Sequence, residues 1–242
     1  MKKKYKKKII FNYEDIPVGF YDKIYNKKSG IQSKWHHIHY SLVKKIIGKY
    51  TKHLDVGCAG GTFVNFLDKN KFSYGADISI NQIKYAKKKY QTKKHRFFLI
   101  KNNKLPFDDN SFDVVTNLQL MEHLSFNDNE KLLNEINRVL KPNGKLIITT
   151  PNYFGPWIIL EKIVNLLGKV KYDEQHITFF NKKKMINFLN KLGYKSISVT
   201  TNMFLSPFFT VFGWSFPNFI QKLEDKLLKH PFKFFLFVIC YK

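Results

Sequence analysis

Short apolar runs and helical apolar stripes alternate between residues 50 and 150. His53 to Val56 reads as a strand, followed at helical spacing by Phe63, Phe66 and Leu67. Ser73 to Ile78 makes a second strand, and Ser79 with Gln82 forms a capping box for a helix carrying Ile80, Ile83, Tyr85 and Ala86. Arg96 to Ile100 and Phe112 to Asn117 follow as strands. Asn127 and Glu130 are placed to cap the next helix, whose apolar face is Leu132, Leu133, Ile136, Val139 and Leu140 and which Pro142-Asn143-Gly144 ends. Lys145 to Thr149 is a fifth strand. Alternation of this kind predicts an α/β fold with a doubly wound, mostly parallel sheet and ligands at the carboxyl ends of its strands. Further on, the spacing predicts helices over Trp157 to Leu167 and Lys182 to Leu192, a strand near Lys195 to Thr200 and a last strand within Phe234 to Tyr241.

A chain of 242 residues with 44% apolar content is sized for one core. The organisation expected is a helical N-terminal segment over 1–48 and one domain over 49–242 with an aromatic insertion at about 202–231. The two cysteines, Cys58 and Cys240, are not in metal-ligand spacing, which suits a reducing cytoplasm. Lys2 to Lys8 is followed only by Ile9, Ile10 and Phe11 before polar residues return, so the apolar core of a secretory signal is missing and a cytoplasmic location is expected. A net charge of +24 points toward phosphate-rich partners. Yet 40 of the basic residues are lysine and only Arg96 and Arg138 are arginine, the residue that nucleic-acid readers use for bidentate contacts. Nucleic acid is therefore not the expected partner. Lys2 to Lys8 remains a local cluster that attracts an anionic surface.

The chemistry is concentrated in His53-Leu54-Asp55-Val56-Gly57-Cys58-Ala59-Gly60-Gly61-Thr62-Phe63, an apolar strand that runs into a glycine-rich turn and then a helix. Glycines allow positive φ and close backbone approach, and the helix start offers unpaired N–H donors, so the segment reads as a nucleotide-type cofactor site. Asp77, where the second strand ends, can accept from both hydroxyls of a ribose.

The loop resembles the D-x-G-x-G-x-G signature of class I S-adenosylmethionine-dependent methyltransferases, with Ala59 where that family usually has glycine. Leu105 to Val115, Met121-Glu122-His123-Leu124, Arg138 to Leu146 and Thr150-Pro151-Asn152 extend the resemblance in the family's order over residues 53–152. It implies a seven-stranded sheet with an antiparallel last strand and S-adenosylmethionine as cofactor. By that likeness Asp55, Gly57, Cys58, Gly60 and Gly61 shape the methionine pocket, Asp77 and Ile78 take the ribose side, Asn102 and Asn103 flank adenine, and Leu118 and Gln119 border the sulfonium. Asn102 replaces the family's usual aspartate; an amide oxygen still accepts from the adenine amino group.

Methyl transfer to oxygen or nitrogen needs alignment of nucleophile and sulfonium, and removal of a proton. Glu122, His123 and His176 are the candidates for that proton. Gln119-Leu120-Met121-Glu122-His123 and the later His176 resemble the E-x-x-E-H pattern of ubiquinone-pathway O-methyltransferases and small-RNA 3′-end methyltransferases, which bind a divalent metal. Here Gln119 replaces the first glutamate, and one anionic ligand fewer weakens a site for a hard cation. A resident metal is therefore not expected; if a divalent ion binds, Glu122, His123 and His176 are its ligands.

In relatives an N-terminal segment folds over the cofactor, which makes Tyr21, Tyr25, Trp35 and His36 candidate substrate contacts; the same aromatics also suit a packing helix. Residues 196–221 carry no charged side chain, and Met203 to Phe219 is rich in phenylalanine but interrupted by Pro207, Gly213 and Pro217. The segment reads as a packing insertion or as an element that dips into an anionic membrane surface. The expected activity is methylation of a small or lipid-like acceptor, at oxygen, by a cytoplasmic enzyme with reversible peripheral membrane contact. An RNA acceptor and a catalytically silent scaffold are the alternatives.

Overall fold

Branched and aromatic residues place seven segments in one sheet: β1 (Lys52–Val56), β2 (Phe72–Asp77), β3 (His95–Leu99), β4 (Phe112–Leu118), β5 (Leu140–Pro151), β6 (Lys195–Asn202) and β7 (Phe235–Tyr241). The computed structural model describes residues 16–167, 175–203, 205–227 and 233–242, so Lys2 to Lys8 and positions 204 and 228–231 of the expected insertion lie outside the described residues. The strand order is β3-β2-β1-β4-β5-β7-β6, with β7 antiparallel to both neighbours and the pairs from β3 to β5 parallel. This is the expected α/β class. The direction of winding reverses between β1 and β4, and a crevice opens at the carboxyl ends of strands at such a switch point.

Strand alternation divides the core between the two faces. Leu146, Ile148, Leu236 and Val238 face the layer formed by α5 (Phe126–Val139) and α7 (Lys182–Lys191), with Leu133, Ile136 and Leu189 against them. Ile147, Phe235 and Phe237 point the other way, into a cluster with Phe63 of α3 (Thr62–Phe66), Trp157 of α6 (Trp157–Leu167) and Ile38, Val43 and Ile47 of α2 (Gly30–Ile47). Each of these burials stabilises by about 1.5 to 3 kcal/mol. The N-terminal α2 thus shares one core with the sheet.

Three sequence expectations change. Ser125 caps α5, its hydroxyl accepting from Asp128 N–H at 3.1 Å, because the helix begins two residues earlier than Asn127 implies. The helix ends at Val139 and Leu140 already pairs with Phe112, so Pro142-Asn143-Gly144 falls within the irregular start of β5. The Ser79 cap of α4 (Ile80–Tyr90) forms, but only in half. The Gln82 side chain is diverted to Gly19 N–H, 3.1 Å from its Oε1.

That contact belongs to a tether between α1 (Phe20–Lys27) and the core. Asp22 is buried and accepts from Thr62 Oγ1 at 3.1 Å, Tyr85 Oη at 2.7 Å and Asn26 Nδ2 at 2.9 Å, and also from Lys89 and Tyr90. Burial pushes its carboxyl up, but the donors Lys89, Tyr90 and Tyr85 together hold it below the usual carboxylate value. The tether is therefore complete above that usual value and is lost as pH falls through the lowered one. Asp22→Ala is expected to cost about 2 to 4 kcal/mol, since several donors are left unpaired. Thermal melting measures that cost, and faster proteolysis within residues 16–30 reports the release of α1.

Candidate active site

The loop after β1 is built by two obligatory glycines. Gly57 has φ 82°, and a Cβ on it would lie 2.7 Å from the Leu120 side chain. Gly61 has φ 80°, and a Cβ there would meet the Phe97 ring at 2.5 Å. Ala59 sits between them at φ 44°, a strained value for a residue with a side chain. Its N–H donates to Asp77 Oδ2 at 2.8 Å, and Asp77 Oδ1 accepts from Ser79 N–H at 2.9 Å. The Asp77 carboxylate therefore pins the strained peptide from both of its oxygens.

Behind the loop, Asp55 Oδ1 accepts from Thr116 Oγ1 at 2.6 Å, and Thr116 lies 2.9 Å from His53 Nε2. Burial, reinforced by the charge of Asp77 and opposed by Thr116, pushes the Asp55 carboxyl up to about 7. Burial holds His53 down at about 3, so it is neutral and donates from Nε2.

A cavity of about 660 Å³ opens over the loop, the size of a small-ligand site. Asp55, Gly57, Cys58, Ala59, Leu118 and Gln119 line its floor. Phe20 and Tyr21 of α1 and Trp35 and His36 of α2 line the roof, and Glu122, His123 and His176 stand on a third wall. Most of the lining is apolar.

The other expected residues lie off the cavity wall. Gly60 and Gly61 pack under Tyr85 and Phe97, and with Asp77 they form the frame of the loop. Ile78, 58% exposed, presents an apolar surface just past the end of β2. Asn102 and Asn103 are exposed at the tip of a tight turn closed by Lys101 and Lys104, with φ 51° and 56°. Two consecutive positive φ values favour asparagine over aspartate, which gives a conformational reason for the departure at Asn102. Tyr25 differs from its expected place as a substrate contact. It stacks on His37 at 3.9 Å and on Tyr40 at 5.4 Å, inside the aromatic packing between α1 and α2.

Glu122 is buried on a 3₁₀ turn, Met121–His123, directly after β4. Thr150 Oγ1 donates to its Oε2 at 3.0 Å, and the Gln119 amide, with its nitrogen turned inward, donates to Oε1 at 3.2 Å. Burial pushes the Glu122 carboxyl up to about 7, against the electrostatic pull of His176 and the Thr150 hydrogen bond. His123 Nδ1 lies 3.2 Å from the Gln175 carbonyl, so donation there makes Nε2 the basic nitrogen. Burial lowers His123 to about 4. His176 Nδ1 lies 2.6 Å from Glu161 Oε1, which orients its ring in the same way. Ligand atoms of Glu122, His123 and His176 lie within 4.8 Å of one another. Two imidazoles and one carboxylate, each held by a second partner, fit a borderline transition ion better than Mg²⁺ or Ca²⁺.

Sequence reasoning missed His39 and Trp157, which also line the cavity. The spacing of His36 and His39 on one face of α2 was the available signal. Trp35 Nε1, His36 Nδ1 and His39 Nδ1 are buried polar atoms with no hydrogen-bond partner among the described residues. Each is enclosed within the packing of α2 against the sheet, so each is an unpaired polar group that the fold carries at a cost.

Comparison with known proteins agrees with this geometry. Residues 54–148 match the family described as Methyltransferase domain. An uncharacterized protein of Methanocaldococcus jannaschii is 33% identical over 186 residues, covering 74% of this chain and 72% of that protein. The ubiquinone/menaquinone biosynthesis C-methyltransferase UbiE of Desulfotalea psychrophila is 38% identical over 79 residues, 32% of this chain and 31% of that protein. Among solved structures, an S-adenosylmethionine-dependent methyltransferase of Thermotoga maritima superposes with a TM-score of 0.63 at 18% identity, covering 93% of this chain and 96% of that one. With the glycine loop, the sheet order and these matches in agreement, the chain belongs to the class I methyltransferases and uses S-adenosylmethionine as its cofactor.

Proposed function

We propose that the enzyme methylates a hydroxyl oxygen of a small or lipid-like acceptor bound under α2, with Glu122 as the general base. The observation that carries this reading is a buried carboxyl poised near neutrality on the wall of the cavity whose floor is the cofactor loop. An acceptor hydroxyl must lose a proton as it attacks, and a base with pKa near the working pH is suited to take it. The oxygen lone pair forms the new C–O bond while the methyl–sulfur bond breaks, the sulfur keeps that electron pair, and the proton goes to Glu122. His123 and His176 accept from and orient the acceptor, and Tyr21, Trp35 and His36 hold its body. Asp55 faces the methionine ammonium, Asp77 and Ile78 the ribose, Asn102 and Asn103 the adenine, and Leu118 and Gln119 the sulfonium. A divalent ion held by Glu122, His123 and His176 would polarise the acceptor oxygen.

Two free, buried cysteines suit a reducing, cytoplasmic setting, and the predominance of lysine over arginine argues against an RNA acceptor. A second reading, an acidic carbon as nucleophile, draws on the C-methylation named for the Desulfotalea relative.

The test incubates the protein with methyl-labelled S-adenosylmethionine and a lipid extract, and follows label into product by mass and by methyl-carbon chemical shift. An O–CH₃ shift supports the proposal, a C–CH₃ shift replaces it with the second reading, and cofactor binding without turnover favours a silent scaffold. Chelator in a parallel arm is expected to leave the rate within about twofold, because Glu122 takes the acceptor proton itself and an ion on its carboxylate would occupy that base; loss of turnover restored by Mn²⁺ or Zn²⁺ would assign the ion instead.

A further inference from the structure

The helix α8 (Phe216–Leu227) is amphipathic the wrong way round. Its buried face is polar: Glu224 Oε1 accepts from Leu205 N–H and Ser206 N–H, both at 2.8 Å, and Gln221 Oε1 accepts from Ser206 Oγ at 2.6 Å. That face clamps the start of the 3₁₀ turn Ser206–Phe212 onto the helix. Phe216, Phe219 and Leu223 face outward, with Phe219 56% exposed, while Pro217 is buried and Ile220 half-buried. The turn adds Val211 at 77% and Phe212 at 70% exposure. Ring contacts run unbroken from Phe209 to Phe212 at 6.1 Å, Phe212 to Phe216 at 5.8 Å and Phe216 to Phe219 at 6.2 Å. Inverting a helix leaves large apolar side chains in water, an arrangement that a soluble surface disfavours and an interaction surface uses.

The chemistry of the rim selects the partner. Lys222 and Lys226 are exposed, each three positions after Phe219 and Leu223, Glu224 is turned inward, and the exposed Asp225 is engaged by Gln221 Nε2 at 2.8 Å and by Lys233, so the apolar stripe is edged mainly by cations. The chain carries +24 overall, almost all of it lysine. Protein interfaces are depleted in lysine, whereas phenylalanine and leucine bordered by lysine is the composition that lies in an anionic lipid interface. The Ser206–Phe212 turn also joins outside to inside, because Pro207 and Phe208 line the active-site cavity and Val211 and Phe212 stand in solvent. No helix among the described residues is long and apolar enough to cross a membrane.

The geometry points to a monotopic docking surface, formed by the Ser206–Phe212 turn and the outward face of α8, that seats the enzyme on an anionic bilayer with the cavity open toward the lipid. Phenylalanine side chains enter the headgroup layer, lysines pair with lipid phosphates, and an apolar acceptor has a lateral route past Pro207 and Phe208. Docking is independent of which atom is methylated, so its test does not depend on turnover.

The experiment is co-sedimentation of the full chain with pure phosphatidylcholine vesicles and with equimolar phosphatidylcholine–phosphatidylglycerol vesicles, at low and high salt. The expected result is pelleting with anionic vesicles at low salt, weakened by salt and by neutral lipid. Phe212→Ser with Phe219→Ser should lower the anionic-vesicle partition coefficient at least about tenfold, while melting temperature and S-adenosylhomocysteine affinity stay unchanged because both rings are solvent-exposed. Lys222→Glu with Lys226→Glu should reduce the preference for anionic over neutral vesicles. Native protein that stays in the supernatant with anionic vesicles at low salt overturns the proposal. So does a serine double variant that pellets like the native chain, which would leave lysines elsewhere as the attachment. A native dimer in light scattering that the serine variant converts to monomer assigns the patch to a second copy of this chain and overturns it too.

Discussion

Asp77→Ala is expected to weaken S-adenosylhomocysteine binding about 100-fold or more, read by calorimetric titration, because the carboxylate has two tasks and hydrogen bonds to a charged acceptor contribute roughly 1.5 to 3 kcal/mol each. It accepts from Ala59 and Ser79 N–H at 2.8 and 2.9 Å, which holds the loop at the strained Ala59, and in the proposed complex it also accepts the ribose hydroxyls. Asparagine looks conservative at this position in the sequence. The geometry says otherwise: each carboxylate oxygen faces a backbone donor, so an amide must turn its own NH₂ toward one of them. Asp77→Asn should therefore lose about tenfold or more as well, since a buried donor facing a donor costs about 1 to 3 kcal/mol. Native affinity in an alanine variant that still folds would remove Asp77 from the ribose site.

The glycine loop after β1 was legible in the sequence because its constraints are local. Gly57 and Gly61 are required by positive φ and by side chains packed against them, and Asp77 ends a strand whose apolar pattern is plain. The sheet followed from alternation, since Leu146/Ile148 and Ile147 must face opposite layers. What composition and spacing hid was long-range. Tyr25 and Tyr21 look alike in the sequence, and only the packing of α1 on α2 puts one against His37 and the other on the cavity. Asp22 gave no signal, because its donors come from positions 62, 85, 89 and 90. The outward face of α8 was hidden for the opposite reason: a period of apolar residues identifies a face without saying whether core or solvent lies beyond it.

The largest effect expected concerns Glu122. Glu122→Gln should lower kcat about 1000-fold, within the range general-base catalysis contributes, while S-adenosylhomocysteine affinity changes little. Glutamine keeps the acceptor for Thr150 Oγ1, and Gln119 can turn its amide oxygen toward the new NH₂, so the wall survives while the base is removed. The native pH profile supplies the sign. Burial raises the carboxyl from 4.5 to about 7, and only the ionised form takes a proton, so kcat should rise with pH through about 7 and then level. Stability should run the other way. A carboxyl that holds its proton more tightly when folded contributes stability that is fully present below 4.5 and is lost as pH rises through about 7, so the melting temperature of the cofactor-free enzyme should fall over that interval and fall less in Glu122→Gln. Asp55, raised from 3.8 to about 7, adds to the same slope and remains in the variant. His123 makes the alternative distinguishable. Lowered to about 4, it is already neutral at pH 6, so catalysis through its Nε2 would give a rate flat from pH 6 to 9 and a Glu122→Gln variant that keeps most of its activity.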